Sequence, residues 1–341
     1  MSLLWIEGFE SFGTTAGDSV SSTITLTKYL DATSFYVRAG RTDGGYALGT
    51  STSTTSLYYL VTPLLSTAST TYVVGFGLYV AASSSTTFDL LAFRKTATNG
   101  VTLQYATSGS EITVANQATS TTLGTTSGAG LAVGNWYYVE VKVVDAESGS
   151  VEVRINGATV LTVSGVDTRA TTAGYDNIKL GARRTYVDDW YVLNGAGTCN
   201  DFLGDVQVRA IWPASDGDAT DWTPSAGSDH YATVDENPCT TDTDYNSAAG
   251  TASDLFNYSD ASDLGDILAI QINSCTKEGT PSATPTIKNL AKISSTVYEA
   301  ATPAVTTAYD MLYSVLEVSP ATSSAWTLAG LNSTQFGVKR V

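Results

Sequence analysis

Over much of the first two hundred residues apolar and polar side chains alternate one for one. That is the period of a strand with one buried and one solvated face. In 137-YYVEVKV-143, Tyr137, Val139, Val141 and Val143 fall on one side, and Tyr138, Glu140 and Lys142 on the other. After the loop 145-DAESGS-150 the stretch 151-VEVRI-155 repeats the pattern. Asn156-Gly157, a dipeptide that tolerates positive φ, then turns the chain into 159-TVLTV-163. Upstream, 72-YVVGFGLYV-80 sets Tyr72, Val74, Phe76, Leu78 and Val80 on one face. Gly75 and Gly77 fall on the other, which implies close backbone approach or strong curvature there. The runs 88-FDLLAFR-94 and 101-VTLQY-105 flank Asn99-Gly100, read as another tight turn. The strand 186-YVDDWYVL-193 is expected to close the sheet against 3-LLWIEGF-9. Segments with the 3.6-residue period of a long helix are missing, so the pattern predicts antiparallel sheets stacked as a sandwich.

The Gly-, Asn- and Asp-rich segment 194-NGAGTCNDFLGD-205 reads as a junction. Beyond it, strands are expected at 206-VQVRAIW-212, 267-ILAIQI-272 and 309-YDMLYSVLEV-318, with a short helical turn and a last strand in 326–341. The predicted fold class is all-β, two consecutive β-sandwich domains spanning 1–196 and 203–341.

The stretch WYYVEVKVVDAESGSVEVRINGATVLTVSG, closed by YVDDWYVLNG, resembles the concanavalin A-like or laminin-G-like jelly roll. The jelly-roll topology comes from that resemblance; alternation supplies only the sandwich. The opening MSLLWIEGFESFG, together with NDFLGDVQVRAIWP, DWTPSAGSDHYATVDE, TDTDYN and the closing AWTLAGLNSTQFGVK, is similar to a family found in tailed-phage genomes. Its members pair a laminin-G-like first domain with a second β domain. The resemblance covers almost the whole chain, and it implies a non-enzymatic virion structural protein, a capsid decoration or a tail-associated component working by subunit docking. The expected partners are other virion proteins and, on analogy, further copies of the same chain. A glycan-binding adhesin contributing to host attachment is the alternative. The family brings no catalytic or ligand residue with it.

Composition agrees with a β fold and narrows the partners. Only 15% of residues are charged, and Ser, Thr, Gly and Ala carry the surface instead. The balance of 17 basic against 33 acidic residues gives a net charge of −16, which argues against nucleic acid and anionic lipid. Twelve acidic side chains lie between Asp216 and Asp266, and no Lys or Arg occurs between Arg209 and Lys277. The N-terminus lacks a basic, then apolar, leader, and no apolar run reaches membrane-spanning length, so a secretory signal and membrane insertion are not expected. A Ser/Thr-rich, lysine-poor surface without an export signal suits a particle assembled in the host cytoplasm and released by lysis. Cys199, Cys239 and Cys275 are an odd, sparse set, read as small buried residues or idle thiols rather than a disulfide framework.

The chemistry-bearing residues are few. The single histidine, His230, has Asp229 beside it, but neighbours on a strand point to opposite faces, so a structural role outweighs a catalytic one. Sandwich glycosidases need two carboxylates flanking the bond, and 140-EVKVVDAE-147 has the wrong spacing for such a pair. Asp216, Asp218 and Asp221 surround a glycine in 216-DGDATD-221, an oxygen cluster that suits Ca²⁺, against the plainer reading of a solvated acidic turn. A third reading of this stretch is a subunit interface, with Arg183 and Arg184 as candidate partners. In 188-DD-189 one carboxylate is expected to face each way. Among the aromatics, Trp5, Trp136 and Trp190 are assigned to core packing. Trp222, in a Pro- and Asp-rich loop, is the exposed candidate for stacking a sugar ring.

Overall fold

The computed structural model describes residues 3–20, 24–42, 44–65, 69–83, 85–106, 111–126, 128, 130–172, 174–239, 242–262, 265–279, 286–302 and 304–341. The chain is all-β and divides into two compact units. The first comprises Met1–Glu10, Thr14–Ser22 and Tyr29–Arg209. The second comprises Ser11–Gly13, Thr23–Lys28 and Ala210–Val341.

In the first unit the described strands are β1 (Leu3–Glu7), β2 (Asp31–Ala32), β3 (Tyr36–Ala39), β4 (Tyr46–Gly49), β5 (Tyr58–Val61), β6 (Thr71–Val80), β7 (Phe88–Lys95), β8 (Thr98–Ala106), β9 (Glu111–Asn116), β10 (Thr121–Thr125), β11 (Trp136–Val144), β12 (Gly149–Ile155), β13 (Ala158–Val166), β14 (Asn177–Ala182) and β15 (Thr185–Asn194). They form two antiparallel sheets. One runs β13-β12-β11-β6-β15-β4-β3 with β1 added on β15, and the other runs β10-β9-β8-β7-β14-β5-β2. Sequence neighbours are often not sheet neighbours, as where β6 lies between β11 and β15, so the sandwich has jelly-roll-like crossovers. The inward set Val74, Phe76, Leu78, Val139, Val141 and Val143 is fully buried, each such side chain contributing roughly 1.5–3 kcal/mol relative to exposure. The ring of Tyr175 bridges the sheets, lying 5.5 Å from Tyr72 on β6 and 5.5 Å from Phe93 on β7.

The expected pairing of the N-terminal strand with 186–193 is present, with Ile6 opposite Tyr191 and Glu7 opposite Trp190. Asn156-Gly157 forms the turn expected of it, with φ of 48° and 78°. Asn99-Gly100 does not. Both residues lie inside β8, and the chain turns earlier, where Thr96 takes φ 54°. Gly100 is needed for room instead, because a Cβ there would stand 2.8 Å from the Tyr175 ring.

The second unit contains β16 (Pro213–Thr220), β17 (Thr223–Pro224), β18 (Asn246–Ser247), β19 (Ala252–Tyr258), β20 (Ile270–Thr276), β21 (Ile287–Ile293), β22 (Thr296–Ala301), β23 (Asp310–Leu316), the short helix α1 (Leu328–Asn332) and β24 (Gln335–Arg340). A five-stranded antiparallel sheet runs β16-β19-β24-β21-β22, while β20 pairs with β23 and β17 with β18. Ile272 of β20 packs on Ala291 and Phe336 of the larger sheet, and Leu312 of β23 packs on Ile287. The strand expected at 206–212 is absent. The strand forms one segment later, over the acidic run read as a solvated turn. That run can be a strand because β16 is an edge, where Pro and charge are tolerated. Gly217 also lets the Leu255 carbonyl come within 2.6 Å of where a Cβ would be. Cys239 and Cys275 form a disulfide and Cys199 is buried outside it, which corrects the reading of three unpaired cysteines.

Candidate functional site

The outer face of the eight-stranded sheet carries the candidate site, and register alone builds it. Trp136 stands opposite Tyr79, Tyr79 opposite Tyr186, Tyr186 opposite Gly49, and Gly49 opposite Tyr36. One transverse row therefore crosses β11, β6, β15, β4 and β3. All four aromatic residues in it are partly exposed, while their strand neighbours Leu78, Val80, Val187 and Val37 are buried on the inner face. The rings touch along the row: Trp136 and Tyr79 are 5.3 Å apart, and Tyr79 and Tyr186 stack at 5.0 Å with 21° between their planes. Arg38 of β3 lays its guanidinium 5.5 Å from the Tyr186 centroid and 5.0 Å from that of Tyr36. Gly49 is the floor of this arrangement, since a Cβ there would lie 2.2 Å from the Tyr186 ring and 2.8 Å from Arg38 Cγ.

Beside the row the same face is closed. Tyr138 and Glu140, expected to be solvated, are each only 1% exposed, because the Arg41 guanidinium lies 4.9 Å over the Tyr138 ring and the segment 199–209 lies over Glu140. Gly204 N donates to Glu140 Oε1 (2.8 Å), as does Tyr191 Oη (2.7 Å), and Leu203 N donates to Tyr191 Oη (3.2 Å). Val208 N donates to Asp189 Oδ1 (2.7 Å), and Arg154 lies 3.8 Å from the Phe202 centroid. Arg41 ties the strap down. It binds Asp188 through its backbone N (2.7 Å), Asp189 through Nε (2.8 Å), Asp205 through Nη1 (2.5 Å) and the Val206 carbonyl through Nη2 (2.6 Å). Gly75 and Gly77 explain the space: Cβ atoms there would stand 2.2 Å from the Tyr191 ring and 2.8 Å from Arg41 Cδ. This is the close approach their position in the strand implied.

Asp188 and Asp189 do not face opposite ways. A bulge interrupts the register of β15 between Asp188 and Tyr191, and Asp189 adopts φ 47°, which brings both carboxyls to Arg41. Burial first, then the Asp189 charge, pushes the Asp188 carboxyl up to about 8. Burial first, then Asp188, pushes Glu10 up to about 10. Asp188 and Asp189 are committed to Arg41 and to the strap rather than being open to solvent as a pair.

The residues singled out in the second unit go elsewhere. Trp222 is half-buried rather than fully exposed, its ring packed on the Ile287, Val305 and Leu312 cluster. Asp216, Asp218 and Asp221 do not converge. Asp216 accepts from the backbone N of His230 (3.2 Å) and Tyr231 (2.7 Å), Asp218 pairs with Lys292, and Asp221 accepts from Ser253 N (3.2 Å). Among the described residues no group of three or more His, Cys, Asp or Glu is placed to hold a metal ion. His230 finds its acid in Asp254, not Asp229: Nδ1 donates to Asp254 Oδ2 (3.0 Å), while Oδ1 accepts from Trp222 N (2.9 Å). The His230 carbonyl accepts from Thr233 Oγ1 (2.9 Å) and Asn246 Nδ2 (2.9 Å), so the constellation fastens loops together. Arg184 is engaged with the carbonyls of Thr54 and Ser83.

Sequence reasoning assigned Trp136 to the core and missed the row. The signal was present strand by strand. Tyr79, Trp136 and Tyr186 each precede or follow an inward apolar residue, so each had to point outward.

No family model matches the chain, and no curated protein matches it by sequence. Solved structures similar to parts of it include the binding domain of Paraclostridial Mosquitocidal Protein 1, at 13% identity and TM-score 0.39, covering 58% of this chain and 50% of that one. Another is domain 4 of AbnA, a GH43 extracellular arabinanase from Geobacillus stearothermophilus, at 13% identity and TM-score 0.36, covering 57% and 94%. A third is the galectin LEC-6 from Caenorhabditis elegans, at 13% identity and TM-score 0.30, covering 39% and 88%. Likenesses at these scores are too distant to carry an argument.

Proposed function

We propose that the protein is a non-enzymatic structural component of a tailed-phage particle, and that its first unit binds saccharide on the outer face of the eight-stranded sheet. The place on the particle rests on the sequence resemblance. The binding role rests on one observation, the transverse row Trp136–Tyr79–Tyr186. Saccharide rings offer apolar C–H faces, and flat aromatic surfaces held open to water bind them by stacking and burial of that area. The three rings, in mutual contact and partly exposed on a rigid sheet, lose little freedom on binding. The acids nearest the row are already bonded to Arg41 and the strap, which favours binding over bond cleavage.

The test is a glycan array probed with the purified chain and with Trp136→Ala. Wild type is expected to retain a defined set of glycans, and the variant to bind them at least about tenfold more weakly. Unchanged thermal melting would show that the sheet is intact. An array of neutral and acidic glycans on which wild type binds nothing, or on which the variant binds equally well, overturns the binding role. For the particle, mass spectrometry of purified phage is expected to recover the chain; its absence from mature particles overturns that assignment.

A further inference from the structure

The row ends on Arg38, and that residue sets the class of ligand. Arg41, Arg154 and Arg169 each hold a carboxylate, of Asp189, Glu152 and Asp167 respectively. Arg38 holds none. Among the described residues its guanidinium has no hydrogen-bond acceptor, and its Nε is buried without a partner. Its guanidinium lies against the rings of Tyr36 and Tyr186 at the end of the row, and its N–H groups are not spent on the protein. In a chain of net charge −16, this guanidinium is a positive group without a carboxylate partner at the end of the aromatic row. A planar fork of this kind is matched by a carboxylate, which it can take with two parallel hydrogen bonds. An electrically neutral sugar would leave its charge-assisted bonds unmade.

We propose that the row takes a saccharide carrying a carboxylate, a uronate chain, with pyranose rings over Trp136, Tyr79 and Tyr186 and a carboxylate on the fork of Arg38. This rests on the saccharide-binding reading above and specifies its ligand. Gly49 belongs to the same device, because only a residue without Cβ lets Tyr186 and Arg38 lie side by side over β4.

The experiment titrates the full chain with a panel of galacturonate, glucuronate, mannuronate and guluronate oligosaccharides, each beside its methyl ester, which keeps the rings and removes the charge. At least one acid is expected to bind about tenfold tighter than its ester. Arg38→Gln should abolish the preference for that acid over its ester, bringing the ratio of the two affinities to about one. Arg38→Lys should recover only part of the difference, since a point charge lacks the fork. Trp136→Ala should weaken acid and ester alike. Acid and ester bound equally by wild type, or both weakened equally by Arg38→Gln, overturns the carboxylate assignment while the platform stands. Neither bound by wild type across the panel overturns the assignment, and silence on the neutral glycans of the array as well overturns the platform with it.

Discussion

At the scale of single residues, the missing side chains matter as much as the present ones. Gly49 has an ordinary negative φ, so its role is room rather than backbone freedom. Gly49→Ala is expected to tilt the Tyr186 ring off the sheet, to lower stability by about 1–3 kcal/mol through overpacking, and to weaken saccharide binding along with it. Urea unfolding and the same glycan titration read the two effects; a variant with both unchanged would show that the ring has another resting place. In the second unit Asp254 is fully buried and serves two donors, His230 Nδ1 and Trp222 N. Asp254→Ala leaves both unpaired in the interior and is expected to cost about 1–3 kcal/mol, read from the urea midpoint. Neither position announces itself in the sequence. A glycine in a strand signals close approach without naming the neighbour, and the acid next to His230 in the chain is not the one next to it in space.

Among the elements, what alternation could read, it read well. The inward and outward sets of β6, β11 and β12 are as the pattern implies, and β1 pairs with β15. What escaped depends on contacts distant in sequence. The bulge at Asp188–Asp189 exists because Arg41 and Val208 N satisfy the two carboxyls. The strand β16 exists because β19 offers it one edge and Asp216 is bonded to the backbone at His230 and Tyr231. The strap over Glu140 looked like a polar junction because its donors are backbone amides, which composition does not display. Two buried acids of the first unit carry a pH dependence. The Asp188 and Glu10 carboxyls are raised in the folded chain, so the folded state keeps protons that the unfolded state releases. The stability they contribute is complete below the ordinary carboxylate range and is lost as pH rises, through about 8 for Asp188 and on toward about 10 for Glu10. Melting of the first unit is therefore expected at lower temperature at pH 9 than at pH 6, with Asp188→Asn flattening the slope. A melting temperature that climbs across that interval would contradict the assignment.

For the molecule as a whole, two units imply two unfolding events with different sensitivities. The disulfide Cys239–Cys275 closes a loop with a sequence separation of 36, for which the chain-entropy model gives roughly 3–4 kcal/mol. Reduction, or Cys275→Ser, is expected to lower the denaturant midpoint of the second unit and to leave that of the first in place. Such bonds persist in oxidising surroundings and are rare in the cytosol. On the proposed route of cytoplasmic assembly and release by lysis, the thiols would alkylate in protein taken from infected cells and resist alkylation in purified particles. Oxidised protein in both samples would argue for a different route.

The aromatic row has a pitch that no side chain sets. Its rings come one per strand, and strands in a sheet are held about 4.8 Å apart by their backbone hydrogen bonds. Substitution can add or remove a rung at β11, β6, β15 or β3, but it cannot alter the spacing between rungs. The face thus behaves as a ruler with fixed divisions. On the proposed saccharide-binding role, variants would change how many sugar units are held, and in which order, in whole steps.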